Sequence, residues 1–140
     1  MRLTENFTYE EFVHSDIADK YGIDNEPKRE DIKEKIKELA CVLQKIRDRL
    51  GEPIHISSGY RSKELNDTIC GATNSDHLFG CAADIRCSDN KKLFGLICSM
   101  VQKGEIQCRQ IINEHQFRWI HLSINNKCNS FKINQILNIG

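Results

Sequence analysis

The chain has 140 residues, of which 39% are hydrophobic and 29% charged, a composition typical of a globular protein with a proper core. Its 20 basic and 20 acidic residues give a formal net charge of +0, so bulk charge gives no reason to expect a nucleic-acid partner. No apolar run approaches the ~20 residues of a membrane span, and the N-terminus lacks the apolar segment of a signal peptide. We therefore expect one domain over residues 1–140, monomeric, without a membrane span, and cytoplasmic as synthesised.

Seven cysteines are present, and an odd number cannot all pair within one chain. Without an export signal, reduced thiols are the default, and the absence of a Cys-x-x-Cys motif argues against a cysteine zinc ribbon. Several of these cysteines occupy apolar positions of predicted elements, where cysteine behaves as a small hydrophobic residue.

The first half of the chain is predicted to be largely helical. Thr8-Tyr9-Glu10-Glu11 has the form of a capping box and predicts a short helix that ends at about His14. Residues 16–27 are predicted to form a loop that contains at most one helical turn. The longest helix is predicted from about Lys28 to Leu50, because its apolar residues recur at spacings of three and four and Gly51 follows them. These inward-facing positions are Ile32, Ile36, Leu39, Ala40, Leu43, Ile46 and Leu50.

Strands and helices alternate in the second half. Strands are predicted at residues 54–57, 82–87, 110–113 and 119–124; helices are predicted from the Ser62 cap to about Cys70 and from Ser88 or Asp89 to Lys103. Residues 114–118 would form the turn between the last two strands. Residues 125–140 mix polar and apolar positions and indicate no particular structure. This order of elements favours an α+β fold with an antiparallel sheet.

Two histidines and one aspartate stand out, although each has an ordinary alternative. Asp84 lies inside an apolar strand, where a carboxylate needs a metal or a partner such as Arg61 or Arg86. His77 lies in a polar loop, where a surface histidine is the usual case. His121 points to the strand face opposite its apolar neighbours, where a lone histidine is more often structural. Together, however, two imidazoles and a carboxylate form a common ligand set for a catalytic zinc with one position open for water.

Separated sequence blocks in a fixed order carry a resemblance to a known family. They are Ser58-Gly59-Tyr60-Arg61-Ser62 with Asn66, then His77-x-x-Gly80-x-Ala82-x-Asp84, and then Trp119-Ile120-His121-Leu122-Ser123. With these blocks the chain resembles the zinc D-Ala-D-Ala carboxypeptidases of peptidase family M15, most closely their small single-domain branch from phages and bacteria. The resemblance extends over nearly the whole chain and thins after Ser123.

The resemblance implies a hedgehog/DD-peptidase-like α+β fold and a Zn²⁺ cofactor held by His77, Asp84 and His121. It implies that Arg61 binds substrate, holding either the oxyanion of the transition state or a terminal carboxylate. The expected reaction is hydrolysis of a peptide bond in peptidoglycan stem peptides, most simply the terminal D-Ala-D-Ala bond. An endopeptidase that cuts an internal stem or cross-link bond is the nearest alternative.

The general base is less clearly indicated. Some branches of the superfamily place a carboxylate three residues before the last zinc histidine, but Arg118 stands there and cannot accept a proton. Gln110-Ile111-Ile112-Asn113-Glu114 fits the Gln-x-Ile-x-Glu pattern of the small branch, which makes Glu114 the first candidate for the catalytic base and His115 the second. The ordinary alternative for both is an exposed residue of a polar turn.

Two further residues are expected to bind substrate. Tyr60 stands beside Arg61 in the same motif, and Ser123 follows His121 by two positions and shares its face. We expect an endolysin-like enzyme of phage or prophage lysis, acting on the cell wall after release. A zinc-containing module that binds wall peptides without cleaving them is the alternative from another functional class, and a metal-free domain in which Arg61 and Asp84 pair is the third.

Overall fold

This computed structural model describes residues 1–139, which contain five α-helices and five strands. The helices are α1 (Tyr9–Val13), α2 (Asp16–Tyr21), α3 (Glu30–Leu50), α4 (Lys63–Thr68) and α5 (Asn90–Gln102). The strands are β1 (His55–Ser58), β2 (Ala82–Arg86), β3 (Gln110–Glu114), β4 (Trp119–Ser123) and β5 (Gln135–Ile139). A short 3-10 helix, Asp76–Phe79, precedes β2. The predicted α+β class is confirmed.

The long helix α3 supplies one wall of the core. All seven of its predicted inward-facing residues are buried, as the amphipathic spacing requires. The helix ends where Gly51 adopts a left-handed conformation (φ +77°) and its N–H bonds to the carbonyl of Arg47. On its buried side, α3 packs against α5, and both helices contribute to the hydrophobic core that also covers the sheet.

The sheet is mixed, with strand order β1-β2-β4-β3-β5. Its first three pairings are antiparallel, as predicted, but β3 and β5 run parallel. The sequence predicted an antiparallel sheet, and the parallel pairing of β5 with β3 corrects that prediction at one edge. Strand β2 lies between β1 and β4, and its first four residues are buried, which agrees with its prediction as a buried strand.

The parallel edge strand comes from the tail, for which the sequence indicated no structure. After β4 the chain crosses back to the start of β3, where Asn134 N–H bonds to the carbonyl of Cys108 and Gln135 N–H bonds to that of Arg109. The return over this crossover brings β5 beside β3 in the same direction. The sequence of β5, Gln-Ile-Leu-Asn-Ile, lacks the alternation of polar and apolar residues by which strands are recognised. In the structure, its Ile136 remains 41% exposed.

Strand β1 contains an irregularity in its pairing with β2. The register of β1 against β2 shifts between Ile56 and Ser58, which marks a β-bulge, and Ser57 Oγ donates to the carbonyl of Asp84. Within the described residues, no helix combines the length and the apolar character that crossing a membrane requires.

Candidate metal centre

Three side chains from different elements meet on one face of the sheet. Asp84 of β2 and His121 of β4 stand directly opposite each other in the antiparallel register, so their side chains project to the same side. His77 reaches the same point from the 3-10 helix that leads into β2. The expectation of an ordinary surface histidine is wrong here, because His77 is only 2% exposed.

The distances between the three side chains suit a tetrahedral metal ion. Asp84 Oδ1 lies 3.4 Å from His77 Nε2 and 3.1 Å from His121 Nδ1, and all three ligand atoms lie within 4.8 Å of one another. Bonds of ~2.0–2.1 Å at tetrahedral angles place neighbouring ligand atoms about 3.3 Å apart. These residues therefore fit Zn²⁺ with three protein ligands and one open position. His77 would bind through Nε2 and His121 through Nδ1.

A backbone contact sets the orientation of the His77 ring. Its Nδ1 lies 2.6 Å from the carbonyl oxygen of Gly59, which can only accept a hydrogen bond. His77 Nδ1 therefore carries a proton, which leaves Nε2 as the ring nitrogen that would bind a metal ion. At the other end of the 3-10 helix, Gly80 has φ +72°, and a Cβ there would meet the carbonyl oxygen of Ile32 at 2.8 Å. A glycine is thus required for the tight turn from His77 into β2.

The electrostatics of Asp84 and His77 favour the protonation states that bind metal. Burial alone would raise the pKa of Asp84, but hydrogen bonds with His121 and His77 outweigh it and hold the pKa well below its usual range. Burial lowers the pKa of His77, although the Asp84 carboxylate opposes this shift. An ionised Asp84 and a neutral His77 are the forms in which both donate electron pairs to a metal ion.

Arg61 stands beside this cluster, where it was expected. Its Nη2 lies 3.6 Å from Asp84 Oδ2, so the carboxylate offers Oδ1 to the histidines and Oδ2 to the guanidinium. Arg61 Nε donates to Ser58 Oγ and Nη1 to Asn66 Oδ1, each over 3.3 Å. The ion pair of Arg61 with Asp84, considered above as an alternative to a metal site, is thus present together with the histidine cluster.

Asn25 holds the loop that carries Arg61 through two hydrogen bonds to its backbone. The Asn25 amide donates to the carbonyl of Tyr60 and accepts from the N–H of Ser62, which fixes the backbone on both sides of the arginine. Burial lowers the pKa of Arg61, whereas the charges of Asp84 and Glu114 raise it.

The two candidate bases lie where β3 turns into β4. Glu114 pairs with Trp119 in the register, on the face that carries His121, and its Oε2 accepts from Trp119 Nε1 over 2.8 Å. His115 is exposed, and its ring lies 4.7 Å from the Trp119 ring. Trp119 itself is half-buried and borders both candidates.

The two residues expected to bind substrate are buried. Tyr60 is 9% exposed and packs in the hydrophobic core. Ser123 is 0% exposed, and a substrate would reach its Oγ only if the covering residues moved. Both assignments remain predictions.

Other contacts near the cluster had little or no signal in the sequence. The contact of His77 with the Gly59 carbonyl could not be predicted from residue types, because every residue has a backbone carbonyl. Asp76 directly precedes His77, and its carboxylate accepts from Arg109 Nη1 over 2.7 Å and from Asn129 Nδ2 over 2.5 Å. An arginine at the start of a strand gave no indication of this buried partner.

Comparison with protein families agrees with the geometry. A family model described as Peptidase M15 matches residues 5–123, a range that includes all three candidate metal ligands, Arg61 and both candidate bases. No curated protein matches the chain.

Proposed function

Because this chain belongs to the peptidase M15 family, whose members are zinc-dependent metallopeptidases, we propose that it hydrolyses a peptide bond in peptidoglycan stem peptides. The terminal D-Ala-D-Ala bond is the proposed target. The observation that carries the proposal is the convergence of His77, Asp84 and His121 beside a guanidinium. A metal ion next to a fixed cation suits a substrate whose scissile carbonyl lies close to a carboxylate, as in a peptide with a free C-terminus.

The ligand set defines what the metal would contribute. Zn²⁺, when bound by His77, Asp84 and His121, supplies a Lewis acid that polarises a carbonyl and makes water a stronger acid. Gly59 orients the ring of His77 through a hydrogen bond, and Arg61 pairs with the carboxylate of Asp84, so both ligands have a partner outside the metal site.

Arg61 is proposed to bind the substrate. Its contacts with Ser58, Asn66 and Asp84 hold the guanidinium in one orientation. A guanidinium held in this way can donate two parallel hydrogen bonds to a carboxylate, or it can stabilise the oxyanion that develops at the scissile carbonyl.

Glu114 is proposed to move the proton. Its carboxylate would take a proton from the attacking water and deliver it to the nitrogen of the leaving amine, so that one water is consumed and a shortened stem peptide and free D-alanine form. Its position on the metal-ligand face and its contact with Trp119 on that face support this role. His115, exposed at the turn, is the second candidate for the same transfer.

The first experiment measures D-alanine released from a stem peptide that ends in D-Ala-D-Ala. Untreated protein, chelated protein and chelated protein restored with zinc are compared. We expect release that is lost on chelation and regained with zinc. Zinc at one ion per chain without release would redirect the assay to intact peptidoglycan, where new amino groups would reveal internal cleavage.

The same experiment separates the other functional classes. Bound zinc and bound stem peptide with no cleavage of either substrate would contradict the enzyme and favour a wall-peptide binding module. A chain that binds no zinc would contradict both and leave the Arg61–Asp84 ion pair as a purely structural feature. Action on the cell wall during lysis remains a prediction, and turbidity loss of a wall suspension treated with the purified protein would test it.

A further inference from the structure

The turn between β3 and β4 has an unusual backbone. Three successive residues, His115, Gln116 and Phe117, have φ values of +48°, +56° and +65°. None of them is glycine, and each L-residue in the left-handed region has a conformational cost. A run of three therefore persists only where surrounding contacts hold it.

One side chain makes two hydrogen bonds to the backbone of the turn. Asn90, the first residue of α5, donates from Nδ2 to the carbonyl of Phe117 over 2.8 Å and to the carbonyl of Arg118 over 2.9 Å. Its Oδ1 accepts from the N–H of Cys87 over 2.8 Å, just after β2. Both amide hydrogens and the amide oxygen are thus engaged, and the side chain links the end of β2 to the turn.

Two more contacts hold the same turn from other sides. Asn113 Oδ1 accepts from the N–H of Phe117 over 2.7 Å. The Phe117 ring lies edge-on to that of Phe94, 5.9 Å away, and Phe94 stands one helical turn after Asn90. Helix α5 therefore contacts the turn through two side chains on one face, the polar Asn90 and the aromatic Phe94.

The conformation of the turn decides where the candidate bases lie. Glu114 immediately precedes the three left-handed residues, and Trp119 follows them by two positions. The bond from Trp119 Nε1 to Glu114 Oε2 and the packing of His115 on Trp119 both span the turn. If the turn relaxed, the Glu114 carboxylate would lose its fixed place on the metal-ligand face.

We propose that Asn90 is a positioning residue, which holds the left-handed turn and thereby fixes Glu114 and Trp119 beside the metal ligands. Its effect on the reaction rests on the proposed peptidase function. The anchoring itself is independent of that function and has its own measurement, because Trp119 is the single tryptophan of the chain.

Two substitutions separate anchoring from folding. Asn90→Ala removes all three hydrogen bonds. Asn90→Asp keeps an acceptor for the N–H of Cys87 but replaces the donors to Phe117 and Arg118 with oxygen. A carboxylate in the first turn of α5, which has no acidic residue there, also favours the helix, so the Asp variant is expected to fold.

Gln44→Ala is the matched control. The Gln44 amide also makes several hydrogen bonds, to Thr4, Asn6 and Asp48, but it anchors the N-terminal segment to α3. The control therefore removes an amide with a comparable number of bonds from a place that does not hold the turn.

Each variant is measured for zinc content, for kcat and KM on the stem peptide, and for the emission and acrylamide quenching of Trp119. For both Asn90 variants we expect unchanged zinc content, a kcat lower by about 10- to 100-fold, and a KM within about twofold, since a misplacement of ~1 Å costs about 100-fold in rate. We also expect red-shifted, more easily quenched emission from Trp119. Gln44→Ala should match the wild type in every reading.

Several results would overturn the proposal. Wild-type emission and quenching in both Asn90 variants would show that the amide does not hold the turn. Changed emission with wild-type kcat would show that the turn does not position a catalytic group. A wild-type protein that binds zinc but releases no product defeats the proposed function instead, and the emission of Trp119 then still supports or overturns the anchoring by Asn90.

Discussion

His77 Nδ1 donates to the carbonyl oxygen of Gly59 over 2.6 Å, and this contact determines which nitrogen of the ring faces Asp84. The carbonyl is held in place because Gly59 packs directly on the backbone of Phe12, whose carbonyl also accepts from the N–H of Tyr60. A ligand of the proposed zinc site is thus oriented by a backbone group from the arginine loop. The loop that carries Arg61 and the 3-10 helix that carries His77 are coupled through this bond.

The first prediction tests that coupling with Gly59→Ala. A Cβ at this position would meet Phe12 Cα at 2.9 Å and the Phe12 carbonyl oxygen even closer, so the backbone must shift and carry its carbonyl away from His77. We expect zinc affinity to fall about 10- to 100-fold, the usual cost of losing a group that orients a ligand. Competition with a chromophoric zinc chelator measures it. Gly95→Ala, where a Cβ meets nothing within 4 Å, should keep the wild-type affinity, and equal affinity in both variants would contradict the orienting role.

The second prediction distinguishes the two candidate bases. Glu114→Gln preserves the size of the side chain and an acceptor for Trp119 but removes the ability to take a proton, so we expect kcat to fall about 10²- to 10⁴-fold with zinc content unchanged. His115→Gln should reduce kcat far less. Steady-state release of D-alanine, with zinc content measured in parallel, provides the comparison. The opposite order of effects would transfer the role to His115, and full activity in both variants would mean that neither is the base.

The third prediction resolves the two roles left open for Arg61. Lysine keeps the charge but cannot reproduce the planar fork that contacts Ser58, Asn66 and Asp84. We expect Arg61→Lys to lower kcat/KM by about 10- to 100-fold, which corresponds to the ~1.5–3 kcal/mol of hydrogen bonds to a charged group. A rise in KM would indicate a grip on the substrate carboxylate, and a fall in kcat would indicate stabilisation of the oxyanion.

The control for that experiment is Arg86→Lys, which changes an exposed arginine at the end of β2. It should leave both kinetic constants unchanged. Wild-type kinetics in Arg61→Lys as well would remove Arg61 from the substrate site and leave it only its ion pair with Asp84.

Part of this architecture could be predicted from the sequence because it is written in side-chain types and spacing. The buried face of α3 follows from apolar residues three and four apart. Asp84 stood out as a carboxylate in an apolar strand, and it meets His121 because antiparallel neighbours share a face.

Other parts could not be predicted because they depend on backbone groups or on distant partners. The 3-10 helix that buries His77 is only four residues long, too short for a periodic pattern. The parallel strand β5 depends on a crossover rather than on a local turn. The left-handed residues 115–117 carry no glycine, which is the usual sign of such a turn.

The fourth prediction concerns the buried ion pair of Asp76 and Arg109. Their side chains are only 4% and 9% exposed, so removing one partner leaves the other charge buried without compensation. We expect Asp76→Asn and Arg109→Met each to lower the free energy of unfolding by about 3–5 kcal/mol, and the double variant to lose clearly less than the sum. Urea unfolding of all four proteins gives the coupling energy.

An exposed pair is the comparison for that cycle. Asp67 accepts from Lys63 one helical turn away, and both are well exposed, so Asp67→Asn should change the stability little. Strictly additive effects at Asp76 and Arg109 would contradict a direct interaction between them.

The fifth prediction is a loss of stability at alkaline pH that is linked to Cys108. Burial raises the pKa of this thiol from 9.0 to about 12, and its side chain is 1% exposed. Between these two values the unfolded chain has lost the proton while the folded protein keeps it, so the unfolding free energy falls as the pH rises, by about 1.4 kcal/mol per pH unit. Below pH 9 both states hold the proton and the contribution is complete.

Urea unfolding between pH 9.5 and 11 tests this link. The unfolding free energy of Cys108→Ala should fall less steeply with pH than that of the wild type, by about 1.4 kcal/mol per pH unit. The cavity left by the substitution lowers stability at every pH and does not change this slope. Cys41→Ala, which removes an exposed thiol, should keep the wild-type slope, and equal slopes in all three proteins would show that the Cys108 thiol is not protected from ionisation in the folded state.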